Sequence, residues 1–415
     1  MPTRCRQGLA HILTINRRDT TLLFATRITR LFAYGLLSVV LSLYLAEIGF
    51  SEARIGLLFT LALTGDAGIT LWITMIADRV GRRRMLTLGA ALMIFAGVVF
   101  ITTSNPIWLT LAAIIGVISP SGNEIGPFLS IEQAGLAELV PAARRTNVFA
   151  WYNLMGSFAT ATGALTGGWT VNGLQLAGWT EIASFQAVLA GYTVAGVVLA
   201  FCFAGVSSAI EAPGQPVAPQ HTLGLHKSRK VIFKLSSLFT LDAFAGGFIV
   251  QSLLAYWFFV RYGVDVAVIG SIFFGANLLA GLSALLAAPL SRKIGLINTM
   301  VFTHIPSNVL LMLVPLMPTL SWAILVLLLR FSISQMDVPT RQSYVVAVVD
   351  PGERSAAAGV ASIARSVGAA ISPALAGILM GIPGLLSAPI FLSGGLKIVY
   401  DLLLFREFKA VKPLE

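Results

Sequence analysis

Twelve ionisable side chains fall inside the apolar runs of this 415-residue sequence, six basic and six acidic. They are Arg27, Arg30, Asp66, Glu124, Glu132, Asp242, Arg330, Asp337, Arg341, Arg365, Lys397 and Asp401. A charge at the centre of a lipid-embedded helix costs about 2.5–3.5 kcal/mol, so residues of this kind face a water-filled path or one another. Their chemistry is limited to two kinds. A desolvated carboxylate can load and release a proton, and a guanidinium can clamp a carboxylate or phosphate with two parallel hydrogen bonds. Glu124 is therefore either a proton site or the permanent partner of Arg27, Arg30, Arg330 or Arg341. Arg30, Arg330 and Arg341 either bind an anionic solute or, as the equal counts favour, neutralise the acidic residues. Glu132 is expected to pair with Arg144 or Arg145.

No Walker loop, dinucleotide fingerprint, His-Glu-x-x-His or nucleophile elbow occurs, which argues against an enzyme or an ATP-driven pump. The histidines at 11, 221, 226 and 304 and the cysteines at 5 and 202 are too scattered to make a metal set or a disulfide by spacing. No cofactor is expected.

The elements that must position these residues are apolar helices. Hydrophobic residues make up 56% of the chain and charged ones 11%, against about 25% charged in a soluble domain, so lipid is the expected solvent. Apolar runs near the roughly 20 residues that cross a bilayer predict spans at 20–46, 54–77, 85–104, 107–138, 146–170, 181–205, 232–260, 266–290, 297–317, 320–349, 355–381 and 385–405. The fold class is an all-α membrane protein with twelve transmembrane helices in two pseudo-symmetric six-helix bundles. The one long polar, proline-bearing connection divides the chain into a tail at 1–19, a bundle at 20–205, a linker at 206–230, a bundle at 231–405 and a tail at 406–415.

Lysine and arginine stay on the cytoplasmic side of a membrane. With both termini inside, 20 of the 28 basic residues lie in cytoplasmic segments and only Arg54 and Arg261 outside, which fixes the expected orientation. The net charge of +10 then reflects topology, and no nucleic-acid partner is implied. The N-terminal stretch lacks the apolar core of a secretory signal and reads as a retained tail. The halves also repeat. Gly81 corresponds to Gly295, and Pro141, Arg144, Ala164, Leu165 and Gly167 correspond to Pro351, Arg354, Ala374, Leu375 and Gly377, at offsets of 214 and 210.

The segment Ala77, Asp78, Arg79, Gly81, Arg82, Arg83, Leu86 resembles the signature loop between the second and third helices of the major facilitator superfamily. Thr74 stands where that pattern has glycine and Ile76 where it has leucine, so the packing of span 2 against span 11 is expected to be looser or differently built here. By this resemblance Asp78, Arg79, Gly81 and Arg82 belong to a gate on the cytoplasmic side, and spans 1, 4, 7 and 10 line a central cavity. Eight of the twelve buried charges lie on those four spans. Gly156, Gly163 and Gly167 resemble a glycine motif of the superfamily's drug/proton antiporters, although Gly168 replaces a proline and ordinary close packing explains them equally well.

Span 4 carries Ser119, Pro120, Ser121, Gly122, Asn123, Glu124, Gly126 and Pro127, and such a sequence breaks a helix. Broken backbone is tolerated in a membrane where it lines a cavity or is buried in protein. The expected solute or proton pathway comprises Arg30, Asn123, Glu124, Asp242, Arg330, Asp337 and Arg341. Asp66 and Arg365 are expected to meet across spans 2 and 11 in one state as a latch, with Asp242 near them. The reading that results is a monomeric secondary transporter of a small molecule in a plasma membrane, a bacterial inner membrane being preferred, and a proton-coupled exporter. The alternatives are a uniporter or symporter of an organic anion or metabolite and, from another class, a transporter-like receptor.

Overall fold

The computed structural model describes residues 17–122, 127–211, 228–350 and 353–409. The first half of the chain forms α1 (Arg17–Glu47), α2 (Glu52–Val80), α3 (Arg82–Thr102), α4 (Pro106–Ile115), α5 (Phe128–Leu139), α6 (Ala142–Leu176) and α7 (Glu181–Gly205). The second half forms α8 (Arg229–Gly247), α9 (Gln251–Tyr262), α10 (Val266–Ile294), α11 (Leu296–Leu313), α12 (Leu320–Phe331), α13 (Asp337–Ala347), α14 (Arg354–Met380) and α15 (Ala388–Phe408). Among the described residues nine helical stretches are long and apolar enough to cross a membrane, with Pro106–Ile115 and Leu320–Phe331 as shorter apolar helices. Taking α4 with α5, α8 with α9 and α12 with α13 as broken passes, six passes precede the linker and six follow it. The outside carries large apolar side chains such as Met75, Ile107, Phe201 and Leu402, while Arg30 and Asp242 are buried inside. That inversion suits lipid.

Local sequence sets the ends of these helices. Ser51 and Glu52 open α2, placing an acidic residue at the positive end of the helix dipole, and Gly81 closes it at φ +112°. Gly295 makes the equivalent turn between α10 and α11 at φ +87°, so the repeated loops of the sequence are one-residue turns in the two halves. Pro106 starts α4, whose first turn is capped by the Asn105 side chain at 2.9 Å from the Ile107 N–H.

Three expected spans are each two helices. The run 107–138 breaks between Ile115 and Phe128, where Gly116, Pro120, Gly122 and Pro127 deny the backbone helical geometry. The run 232–260 breaks after Gly247, a site pressed against α14, where a Cβ would lie 2.5 Å from Ala369 O. The run 320–349 breaks at Ser332–Met336, and α13 restarts with Pro339 inside its first turn, where its missing N–H costs nothing. The fifth span is longer than expected, running from Ala142 to Leu176.

One side of the molecule carries Arg17, the Gly81 and Gly295 turns and Phe408, and is called here the terminal side. The other is the far side. Between described residues, every hydrogen bond joining the two halves lies toward the far side. Ser252 N–H donates to Pro120 O at 3.0 Å, Ser42 to Ser252 O at 2.5 Å, Gln251 to Ser38 at 2.6 Å and Tyr256 to Glu52 at 2.8 Å. Thr60 bonds Ala374 N–H at 2.9 Å, and Trp169 donates to Ser271 at 3.1 Å. The apolar core follows suit. One cluster runs through the first half and into the far-side portions of the second, including Phe248, Phe258, Ile269 and Met380. A separate cluster of Leu235, Phe239, Met300, Tyr344 and Leu404 fills the terminal side of the second half.

The contact of α2 with α14 is tight on the far side. A Cβ on Gly56 would lie 2.3 Å from Pro373 O, and one on Gly377 2.2 Å from Glu52 O. The looser packing expected from Thr74 is thus not the feature that governs this pair. Thr74 lies toward the terminal side, with its hydroxyl 3.3 Å from Ser130 on α5. Gly377→Leu should therefore force the far side apart, with overpacking of about 1–3 kcal/mol. Labelling of a buried Ser252→Cys by a membrane-impermeant thiol reagent should rise in that variant. It should stay at the background level in Gly395→Leu, whose site has open space.

Candidate functional site

Two buried clusters hold most of the intramembrane charges. In the first half, Arg30 grips Glu132 with both nitrogens, Nη1 to Oε1 at 2.8 Å and Nη2 to Oε2 at 2.7 Å, and both side chains are fully buried. Thr26 donates to the same carboxylate at 2.8 Å, and the Tyr152 hydroxyl donates to its other oxygen. Glu132 thus takes Arg30 in place of the expected Arg144 or Arg145, because α5 lays it against α1 rather than toward the terminal loop. Arg145 instead donates to Val140 O at 3.1 Å. Arg27 lies 4.5 Å over the Tyr152 ring and donates to Tyr152 O at 2.9 Å and to Asn153 at 3.2 Å. Gly156 makes room for it: a Cβ there would sit 2.8 Å from Arg27 Nε. Gly163 likewise lets α6 cross α1, since a Cβ there would sit 2.0 Å from Phe32 O. The antiporter-like glycines are packing residues in this structure.

The second half gathers its charges around Asp242 on α8. Its Oδ2 accepts from Arg365 of α14 at 2.7 Å and from Arg341 of α13 at 3.2 Å, and its Oδ1 from Lys397 of α15 at 2.8 Å. Arg341 also holds Asp337 at 2.9 Å, one turn away on the same helix. Beyond Lys397, Asp401 accepts from Asn308 at 3.2 Å and meets His304 Nδ1 at 2.9 Å. Three carboxylates thus face three permanent cations and one imidazole. Arg330, 8% exposed, makes no hydrogen bond or ion pair among the described residues, and its guanidinium lies 4.7 Å over the Phe331 ring.

The expected pathway residues therefore divide. Asp242, Asp337 and Arg341 meet in one network, Arg30 belongs to a separate pair, and Arg330 stands by itself. Asn123 and Glu124 lie outside the described residues. Of the expected latch, Arg365 is on Asp242 in this state, while Asp66 lies half-buried on α2. In the signature loop, Asp78 accepts from Arg82 Nε at 2.8 Å, and Arg79 is exposed in the last turn of α2. Arg82 donates to Ile210 O at 2.8 Å, and its N–H is capped by Glu211 at 2.6 Å. Sequence reasoning set His304 aside as isolated. Its partner lies 97 residues away, and the signal available was that span 9 carries His304 within its apolar run while span 12 carries Lys397 and Asp401 within its own.

A profile of the Major Facilitator Superfamily matches residues 23–373, most of the chain. The chain belongs to the major facilitator superfamily. It is a multi-pass membrane transporter by family. An uncharacterized membrane protein of Saccharomyces cerevisiae, YJR124C, is 31% identical over 95% of both chains. Among solved structures, a bacterial homolog of the human lysosomal transporter Spinster, in an inward-facing and occupied conformation, superposes with a TM-score of 0.72 at 18% identity. That match covers 95% of this chain and 97% of that one. A D-xylose-proton symporter gives a TM-score of 0.69 at 16% identity over 95% and 99%. At these identities the structural likeness shows the fold.

In this carrier, removing one member of a buried pair strands the other, at a cost of about 3–5 kcal/mol. Arg30→Met and Glu132→Leu should each lower the melting temperature of the purified protein markedly. The double variant should recover most of the loss, because no charge is left unpaired. Thermal unfolding in detergent reads this, and single variants that melt like wild type would show the pair to be dispensable.

Proposed function

We propose that the chain is a proton-coupled secondary transporter that exports a small solute by rocking the bundles at 20–205 and 231–405 about their far-side contact. The observation that carries the reading is one-sided closure. The halves share apolar core and hydrogen bonds toward the far side, while the terminal side of the second half keeps a core of its own. With the termini cytoplasmic, as the basic loops imply, this is the cytoplasm-facing state. The yeast relative removes the ground for preferring a bacterial inner membrane, and we assign the protein to a cellular membrane without that restriction.

The alternate state is supported by helix register. On α2 and α14, Gly56 faces Gly377 and Thr60 faces Ala374 and Ile371. Asp66 lies six residues beyond Thr60 toward the terminal side, and Arg365 six residues before Ile371. If the two helices close along their length, Asp66 comes opposite Arg365, which then exchanges Asp242 for Asp66. The same register carries Asp78 toward Arg354. A second reading, transport of an organic anion as uniporter or symporter, is favoured by Arg330, a buried cation with no anion on it among the described residues.

Proteoliposomes loaded with a panel of cationic, neutral and anionic solutes test both readings. Efflux of at least one solute should accelerate under an imposed pH gradient, and Glu124→Gln should abolish that acceleration. Flux indifferent to the gradient would remove the proton, and selective movement of anions, lost in Arg330→Gln, would favour the second reading. For the latch, Asp66→Asn and Arg365→Gln should each slow transport, and together they should do little more than either alone. Strictly additive effects would break the link.

A further inference from the structure

The contact between α11 and α15 holds polar chemistry that the first reading of the pathway does not use. His304, Asn308 and Ser307 lie on α11 and face Ser393, Lys397 and Asp401 on α15, and all but Lys397 are within a few per cent of complete burial. His304 Nδ1 meets Asp401 Oδ1 at 2.9 Å, and Asn308 fills the other carboxylate oxygen at 3.2 Å. The Ser307 and Ser393 hydroxyls and Asn308 Oδ1 have no partner among the described residues. Unpartnered buried polar atoms in a row are the groups that ordered water serves.

We propose that His304 and Asp401 form a proton-binding site between α11 and α15, and that its occupancy controls how tightly Arg365 is held by Asp242. The proposal rests on the reading of the chain as a proton-coupled carrier. It adds a proton site in the second half to the one tested at Glu124. With Nδ1–H donating to Asp401, the free lone pair is on Nε2. A hydronium ion at the open side gives its proton to Nε2, leaving water and an imidazolium paired to Asp401, and release on the other side reverses the step.

The charges around the site decide the consequence. From α15 come Lys397, Asp401 and the Tyr400 ring, whose centroid is 6.1 Å from that of His304. From α13 come Asp337 and Arg341, from α12 Arg330, from α8 Asp242 and from α14 Arg365. The charged residues of α10, Arg292 and Lys293, lie exposed in its last turn. With His304 neutral, Asp242, Asp337 and Asp401 face Arg341, Arg365 and Lys397, and Arg330 is a fourth cation nearby. The added proton raises the excess of positive charge by one. Asp401 is then held by the imidazolium, and Lys397 stays on Asp242, where it is bonded at 2.8 Å. The cation that can leave at least cost is Arg365, whose side chain is 33% exposed against 8% for Arg341 and 11% for Lys397. Proton binding at a buried pair thereby frees the arginine that the register argument sends to Asp66. A sodium ion would not suit the same oxygens, because Lys397 and His304 already supply positive charge to Asp401.

Two readouts, neither needing a substrate, test this on the full chain in lipid nanodiscs. In ¹⁵N-histidine NMR, one resonance absent from His304→Gln should pass from the neutral to the protonated form as the pH is lowered. Asp401→Asn should displace its midpoint. If His304→Gln does not fold, Asn308→Ala serves, and should move the midpoint of one histidine and no other. Spin labels at Met75→Cys and Ala358→Cys, with the native cysteines replaced by serine, should draw closer with that same midpoint. They should not respond to pH in His304→Gln. A His304 resonance that fails to titrate overturns the site. Label distances that ignore a titrating His304 overturn its control of Arg365. A midpoint that shifts when sodium replaces choline gives the site to a metal cation instead. A solute panel with no flux would defeat the proposed transport and leave this site standing, whereas a silent His304 would defeat the site alone.

Discussion

A carboxylate buried in the middle of a membrane bundle stays ionised only if cations are brought to it, and Asp242 is met by three. Each comes from a different helix, so the ion cluster holds α8, α13, α14 and α15 in one arrangement. Apolar packing alone gives little orientation between helices in lipid, because the tails outside are as apolar as the side chains inside. Position must then come from close backbone approach and from polar contacts. The second half uses both, with Gly247 pressed on α14 at one end of α8 and the ion cluster near its middle.

The two halves treat buried charge differently, although their turns repeat. The first closes Arg30 on Glu132 with two matched hydrogen bonds and adds Thr26 and Tyr152, leaving little reason for that pair to exchange partners. The second shares one carboxylate among several cations, each of which has another acid within reach or water beside it. A shared carboxylate has several arrangements of similar energy, and a two-state element of that kind is what a conformational cycle requires. The first half is thus built as a fixed block and the second as the half whose internal bonds can change.

The passes, the one-residue glycine turns and the twelve charges were legible in the sequence because hydropathy, repeat spacing and the cost of a buried charge are local properties. The break in the fourth pass was legible too, since Pro120 and Pro127 declare it. The breaks after Gly247 and at Ser332 were not, because no proline marks the point of rupture, and the first sits where α14 presses on Gly247. Pairing was the least legible property. Glu132 had several arginines within plausible reach, and which one it takes depends on how α5 turns against α1. Thr74 marks where the sequence departs from the family's glycine, while the close approach of α2 and α14 sits at Gly56, about five turns away on the same helix.

The broken passes and the far-side closure are one device. A helix break frees backbone groups that cannot be left bare in a membrane. Here Pro120 O, from the break in the fourth pass, accepts from the N–H of Ser252 just after the break in the seventh. Ser42 donates to Ser252 O, and Ser252 donates to Ser38 O at 3.0 Å, so α1 joins the same set. Each half therefore satisfies backbone that the other half has exposed, and the bond exists only while the far side is shut. Opening that side must hand these groups to water or to a solute. The groups that seal the cavity in one state consequently line it in the other, and helix breaks that would be defects in a static bundle become the means by which a carrier presents polar backbone to each side in turn.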